Sequence, residues 1–72
     1  MYFLVIIQYG TDNSVSQVIY QKESYDAALV PFYTELAYRS DARKATVCII
    51  LDKVGSVMKK DIYNEQAILN ND

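Results

Sequence analysis

The chain has no histidine, so the side chain most used as a general base near neutral pH is missing. Ser/His and Cys/His nucleophile pairs are therefore excluded. Its carboxylates are scattered through turns and surface positions and nowhere form the facing pair of a glycosidase or an aspartic protease. Two glycines are too few for a phosphate-cradling loop or a dinucleotide fingerprint. The one cysteine, Cys48, lies between Val47 and Ile49 and reads as a small buried hydrophobe. With no second thiol and no histidine it makes neither an intramolecular disulfide nor a zinc-ligand pattern, so no metal or cofactor is expected and a reducing, cytoplasmic setting fits best. Arg39, Arg43 and Lys44 form the one basic cluster. They could hold an anion such as a nucleotide, or complement the carbonyls at a helix C-terminus. Taken together, these residue types point away from an enzyme.

The elements that position these groups fit into one domain, since 72 residues leave room for a single core. At 51% hydrophobic and 22% charged the composition is that of a globular chain. A formal charge of -2 argues against phosphate-driven nucleic-acid binding, which needs a basic stripe. The opening Tyr2 to Ile7 run lacks the basic start and small-residue cleavage site of a signal peptide. No apolar run approaches the roughly 20 residues that span a bilayer. A soluble protein without membrane contact is expected.

Turn-forming residues at Gly10 to Ser14 separate that first strand from a second, Val15 to Tyr20, as a hairpin. Ser24 is placed to cap a helix with Asp26 in its first turn, and the helix should run to about Ser40. Pro31 falls in its middle, where it removes a hydrogen bond and predicts a kink or a break into two helices. Ala45 to Leu51 reads as a third strand and Val57 to Tyr63 as a fourth, which alternates with Lys59, Lys60 and Asp61 as an exposed edge does. The tail from about residue 65 to 72 is expected to fray. The pattern β-β-α-β-β closes most simply as an α+β domain with an antiparallel sheet of order 2-1-3-4 and one helix on one face.

Phe3, Val5, Ile7, Val47, Ile49 and Leu51 then make one apolar sheet face, which the helix would cover with Tyr25, Leu29, Phe32 and Leu36. The opposite face would hold Leu4, Ile6, Cys48 and Ile50, mixed with Tyr2, Gln8, Ile19 and Thr46. Being apolar, it needs a cover. A homodimer, through that face or along an edge strand, is the preferred cover, with shielding by its own Tyr and Gln side chains or a hetero-partner as alternatives. On the helix, Ala27, Val30, Pro31, Thr34 and Tyr38 fall on the side away from that core, a stripe short of charge. It is either a docking surface anchored by Tyr38 or a mildly apolar exposed face without a role.

Tyr2-Phe3-Leu4-Val5-Ile6-Ile7-Gln8 together with Asp26-Ala27-Ala28-Leu29 and Phe32-Tyr33-Thr34-Glu35-Leu36-Ala37-Tyr38-Arg39 resembles short proteins of phages and prophages in Gram-positive gut bacteria. Such proteins often carry His before the Thr-Glu-Leu segment, where this chain has Tyr33. The resemblance implies a phage gene expressed inside an infected bacterium and assigns no activity. Within it three expectations stand. The first is a non-catalytic module that binds and inhibits a host protein such as a component of antiviral defence. The second is a structural or assembly accessory of the virion. The third is a sponge that holds a nucleotide signal at Arg39, Arg43 and Lys44.

Overall fold

The computed structural model describes residues 1–69. Strands β1 (Tyr2–Gly10) and β2 (Val15–Lys22), helix α1 (Tyr25–Ala37), strands β3 (Arg43–Asp52) and β4 (Val57–Tyr63), and a short helix α2 (Glu65–Leu69) follow in chain order. The four strands form one antiparallel sheet of order β2-β1-β3-β4. Fold class and strand order agree with the sequence expectation.

Each turn has a local cause. In the first hairpin the Gly10 N–H donates to the Ser14 carbonyl at 2.8 Å, and Asp12 Oδ1 accepts from the Ser14 N–H at 3.0 Å. Hydrogen bonds from Ser14 hold the Asp12 carboxyl below its ordinary range. A Cβ on residue 10 would lie 2.5 Å from Ser14 Oγ and 2.7 Å from Asp12 Oδ1, so any larger residue there would push these two side chains aside. Asn13 takes the left-handed conformation, φ 69°, which Asn tolerates better than most residues. In the second hairpin Asp52 Oδ1 accepts from the N–H groups of Val54 and Ser56, and Gly55 supplies φ +89°.

Ser24 caps α1 as expected, its Oγ accepting from the Ala27 N–H at 3.0 Å, and Asp26 lies in the first turn. Of the expectations about this helix, the break at Pro31 and the end at Ser40 are corrected. It passes through Pro31 without breaking, and it ends at Ala37, three residues short of Ser40. Tyr38 turns to extended backbone, φ -65° and ψ 134°, while its N–H still bonds the Thr34 and Glu35 carbonyls. The tail also departs from expectation: Glu65 to Leu69 form α2, which packs against β3. The expected fraying of residues 70–72 lies outside the described residues.

The larger correction concerns the sheet. Helix α1 covers the even-numbered side chains: Leu4, Ile6, Cys48 and Ile50 form the core with Ala28 and Phe32, each at most 1% exposed. Tyr25, Leu29 and Leu36 pack around it as anticipated, but over the opposite set of strand residues. Hairpin register and handedness explain the choice. The Gly10 to Ser14 bond makes the even residues of β1 and β2 the hydrogen-bonded pairs, which fixes β2 on one side of β1. Strands β2 and β3 both run antiparallel to β1. They are therefore parallel to each other, and α1 is their crossover. A right-handed crossover from β2 to β3 in that arrangement passes over the even face. Burying Phe32, Leu4, Ile6 and Ile50 there contributes about 1.5–3 kcal/mol each.

Candidate functional site

The residues expected to lie on an uncovered face are mostly core. Tyr2, Leu4, Ile6, Gln8, Thr46, Cys48 and Ile50 are buried or half-buried on the helix side. Of that set Ile19 alone lies on the open side, 62% exposed. The bare face is instead the odd one, where Phe3, Val5 and Ile7 of β1 register with Leu51, Ile49 and Val47 of β3. Ile19 and Val15 extend it onto β2 and Val57 onto β4, each about three-fifths exposed. Among the described residues, its Ala45 end is the part that is closed. Ala45 and Val47 are buried outside the main core, where α2 meets β3 and the Asn64 side chain donates to the Lys44 carbonyl at 2.7 Å. Lys60, opposite Ile49, is the one charged residue that the strand register places among these side chains.

The sheet's two edges differ. Along β4 the ladder is interrupted by a register shift between Ile50 and Leu51, and Lys59, Lys60 and Asp61 follow in a row. The Ile62 N–H, whose position in the ladder aims it at the free edge, is taken by Asp61 Oδ1 at 2.8 Å. Lys59 lies 5.7 Å from the Phe32 ring and 5.6 Å from the Tyr33 ring, and a hydrogen bond to Tyr33 raises its pKa. These are the usual guards against edge pairing. Along β2 there are none: its register with β1 is unbroken from Tyr2↔Lys22 to Tyr9↔Val15, and Val15 to Gln21 carry no charge and no proline.

Between that unguarded edge and α1 runs a groove of about 320 Å³. Ile6 forms its floor, Tyr20 and Lys22 one wall, and Val30, Pro31, Thr34 and Glu35 the other. Of the five helix residues expected to face outward, Ala27, Val30, Thr34 and Tyr38 are exposed. Pro31 is half-buried in this groove. Tyr38 stands apart at the other end of the helix, 4.5 Å beneath the Arg43 guanidinium.

The three cations of the expected anion site have separate partners. Arg39 stacks 3.6 Å from the Tyr63 ring and donates to the Leu36 and Tyr38 carbonyls. It complements the helix end, the role offered above to all three cations and taken by this one. Arg43 pairs with Glu35 at 3.0 Å, and Lys44 donates to Asn13 Oδ1 across the hairpin at 3.0 Å. Of the three, Arg43 alone lines the adjoining polar hollow of about 220 Å³.

Cys48 is fully buried, and burial first, then the Glu35 carboxylate, pushes its thiol up to about 11. Such a thiol is inert near neutrality. Among the described residues no group of three or more His, Cys, Asp or Glu is placed to hold a metal ion, and no helix is long and apolar enough to cross a membrane. The sequence did not single out β2 as the unguarded edge, although the absence of charge and proline from Val15 to Gln21 marks it. Comparison with protein-family models, curated proteins and solved structures finds no match.

Proposed function

We propose that the chain is a non-catalytic protein-binding module that works as a homodimer, two copies covering each other's odd sheet face. The bare face carries this reading. A surface holding Phe3, Val5, Ile7, Ile49 and Leu51, with Ile19 and Val57 three-fifths exposed, is the composition of a core and not of a solvated sheet. Its size favours a second copy. Four strands about 4.8 Å apart, each about eight residues at ~3.3 Å rise, span roughly 500 Å² in plan. Side-chain relief raises the accessible area toward the ~800 Å² per partner that stable interfaces bury. Two such sheets pack face to face at about 10 Å.

Charge selects the geometry. A two-fold axis across the strands would stack β4 on β4 and bring the two Lys60 ammonium groups together. An axis along the strands places each β4 over the other copy's β2, so that Lys60 lies over Ile19 between Gln17 and Gln21, uncharged acceptors within its reach on the same odd face. The resemblance to phage and prophage proteins supports a host protein as the target of this dimer. The absence of a histidine and of a carboxylate pair supports binding over catalysis.

Sedimentation and native mass spectrometry at low micromolar concentration test the dimer. Wild type should be a dimer without added mass, and Ile49→Asp a folded monomer. A monomeric wild type would exclude the homodimer, and a dimer unaffected by Ile49→Asp would exclude this face.

A further inference from the structure

We propose that the free edge of β2 and the groove beside it form a strand-addition site for an extended segment of a partner protein, with apolar side chains at alternate positions and a carboxylate beside Lys22. The proposal rests on the reading of the chain as a binding module and uses a surface separate from the dimer face.

The backbone supplies the first half of the site. Since the even residues of β2 exchange hydrogen bonds with β1, the N–H and C=O groups of Val15, Gln17, Ile19 and Gln21 point to the free edge. A strand added there acquires a full ladder, and no bulge, proline or charge obstructs it.

Side chains supply the second half. Val18, Tyr20 and Lys22 lie on the helix side of the sheet, so alternate residues of an added strand, about 6.6 Å apart, also point to that side. There they meet the groove, whose floor is Ile6 and whose far wall is Val30 and Pro31. Helix, groove and open edge are thus in register with one another, and the incoming residue type is fixed as apolar.

Charge then decides between a foreign segment and β2 of a second copy. Of the two charged groups at the groove, Glu35 is neutralised by Arg43 at 3.0 Å. Among the described residues Lys22 has only the Tyr20 ring, 5.6 Å from its ammonium group. A second β2 brings another lysine and no carboxylate, whereas an acidic partner segment complements the site. In the face-to-face dimer the groove remains on the outer side of the sandwich, so both surfaces can be occupied together.

The test uses the full-length, isotope-labelled chain and a pool of acetylated hexapeptides. These have Val, Ile or Leu at positions 1 and 3, Thr at 2, 4 and 6, and Glu at 5, so that the carboxylate shares the groove face with the apolar residues and with Lys22. At about millimolar peptide, hydrogen exchange at Val15, Gln17, Ile19 and Gln21 should slow at least tenfold. Backbone N-methylation of the peptides should abolish the effect, and replacing their Glu with Lys should weaken it several-fold. Gln17→Pro removes one outward donor while leaving the β1 ladder intact, and it should lose the response with the fold retained. Val30→Asp, on an exposed wall, should weaken binding about tenfold and serves if the proline variant fails to fold. Unchanged exchange at all four amides would overturn the proposal. So would protection already present in the free chain, which would make a second copy the occupant of the edge. Slowing confined to Val5 and Ile49 would overturn it too, and would also show that the bare face is open in solution, against the homodimer.

Discussion

Even and odd faces of the central strands have nearly the same composition, yet Leu4, Ile6, Cys48 and Ile50 are at most 1% exposed while Phe3, Val5, Ile49 and Leu51 are only half-buried. Hydrophobicity did not choose between them. Register and crossover handedness did, and the apolar composition of the losing face is the ground on which the dimer is proposed. The two edges repeat the contrast: β4 is guarded by a bulge, three charges and a capped N–H, and β2 by nothing.

The sharpest way to break the comparison is to place the same lysine on each face. Ile6→Lys buries an unpaired ammonium and should abolish folding, read as loss of the far-UV signal. Val5→Lys, one position away, should leave a folded chain and convert dimer to monomer. Equal damage from both would mean that the odd face is as buried in one chain as the even face.

Next in size is Phe32→Ala, which removes the largest fully buried side chain and should cost about 3–5 kcal/mol in urea unfolding, where residual fold allows a measurement. Its loss should not depend on protein concentration, whereas losses from odd-face substitutions should.

A smaller effect follows from Cys48. Its pKa is raised in the fold from an ordinary 9.0 to about 11. Above pH 9 the unfolded chain therefore releases a proton that the folded chain keeps, and stability falls as pH rises from about 9 through 11. Cys48→Ala should flatten that part of the pH profile. Thiol reagents at pH 8 should modify Cys48 only as fast as the chain opens.

The smallest effect has the opposite sign. Thr46 Oγ1 is buried on the helix face without a hydrogen-bond partner, so Thr46→Val should raise the unfolding free energy by about 1 kcal/mol. A loss instead would show that the hydroxyl has a partner in solution.

Much of this was legible in the residues. Alternation and turn clusters placed four strands, and the short connections fixed their order. The spacing of Tyr25, Leu29, Phe32 and Leu36 identified the helix face that meets the sheet. The sheet face was not legible from composition, because β1 and β3 are apolar on both sides and period-two patterning then points nowhere. At Pro31 the sequence left a kink or a break open, and the helix runs on without a break from Tyr25 to Ala37. Asn64 opens α2 from φ 60°, a left-handed start that propensity alone does not signal. The Arg39, Arg43 and Lys44 cluster was real in sequence but divided in space, since Glu35, Tyr63 and Asn13 each claim one cation.

The turn closed at Gly10 has a consequence for how such a protein could diversify. Were the hairpin to close one residue earlier or later, β2 would come to lie on the other side of β1, and a crossover of the same hand would lay the helix over Phe3, Val5 and Ile49. Leu4, Ile6 and Ile50 would then be the surface offered to partners. A single insertion or deletion in a four-residue loop could thus turn the molecule inside out, exchanging what it hides for what it presents without altering one apolar residue in β1 or β3.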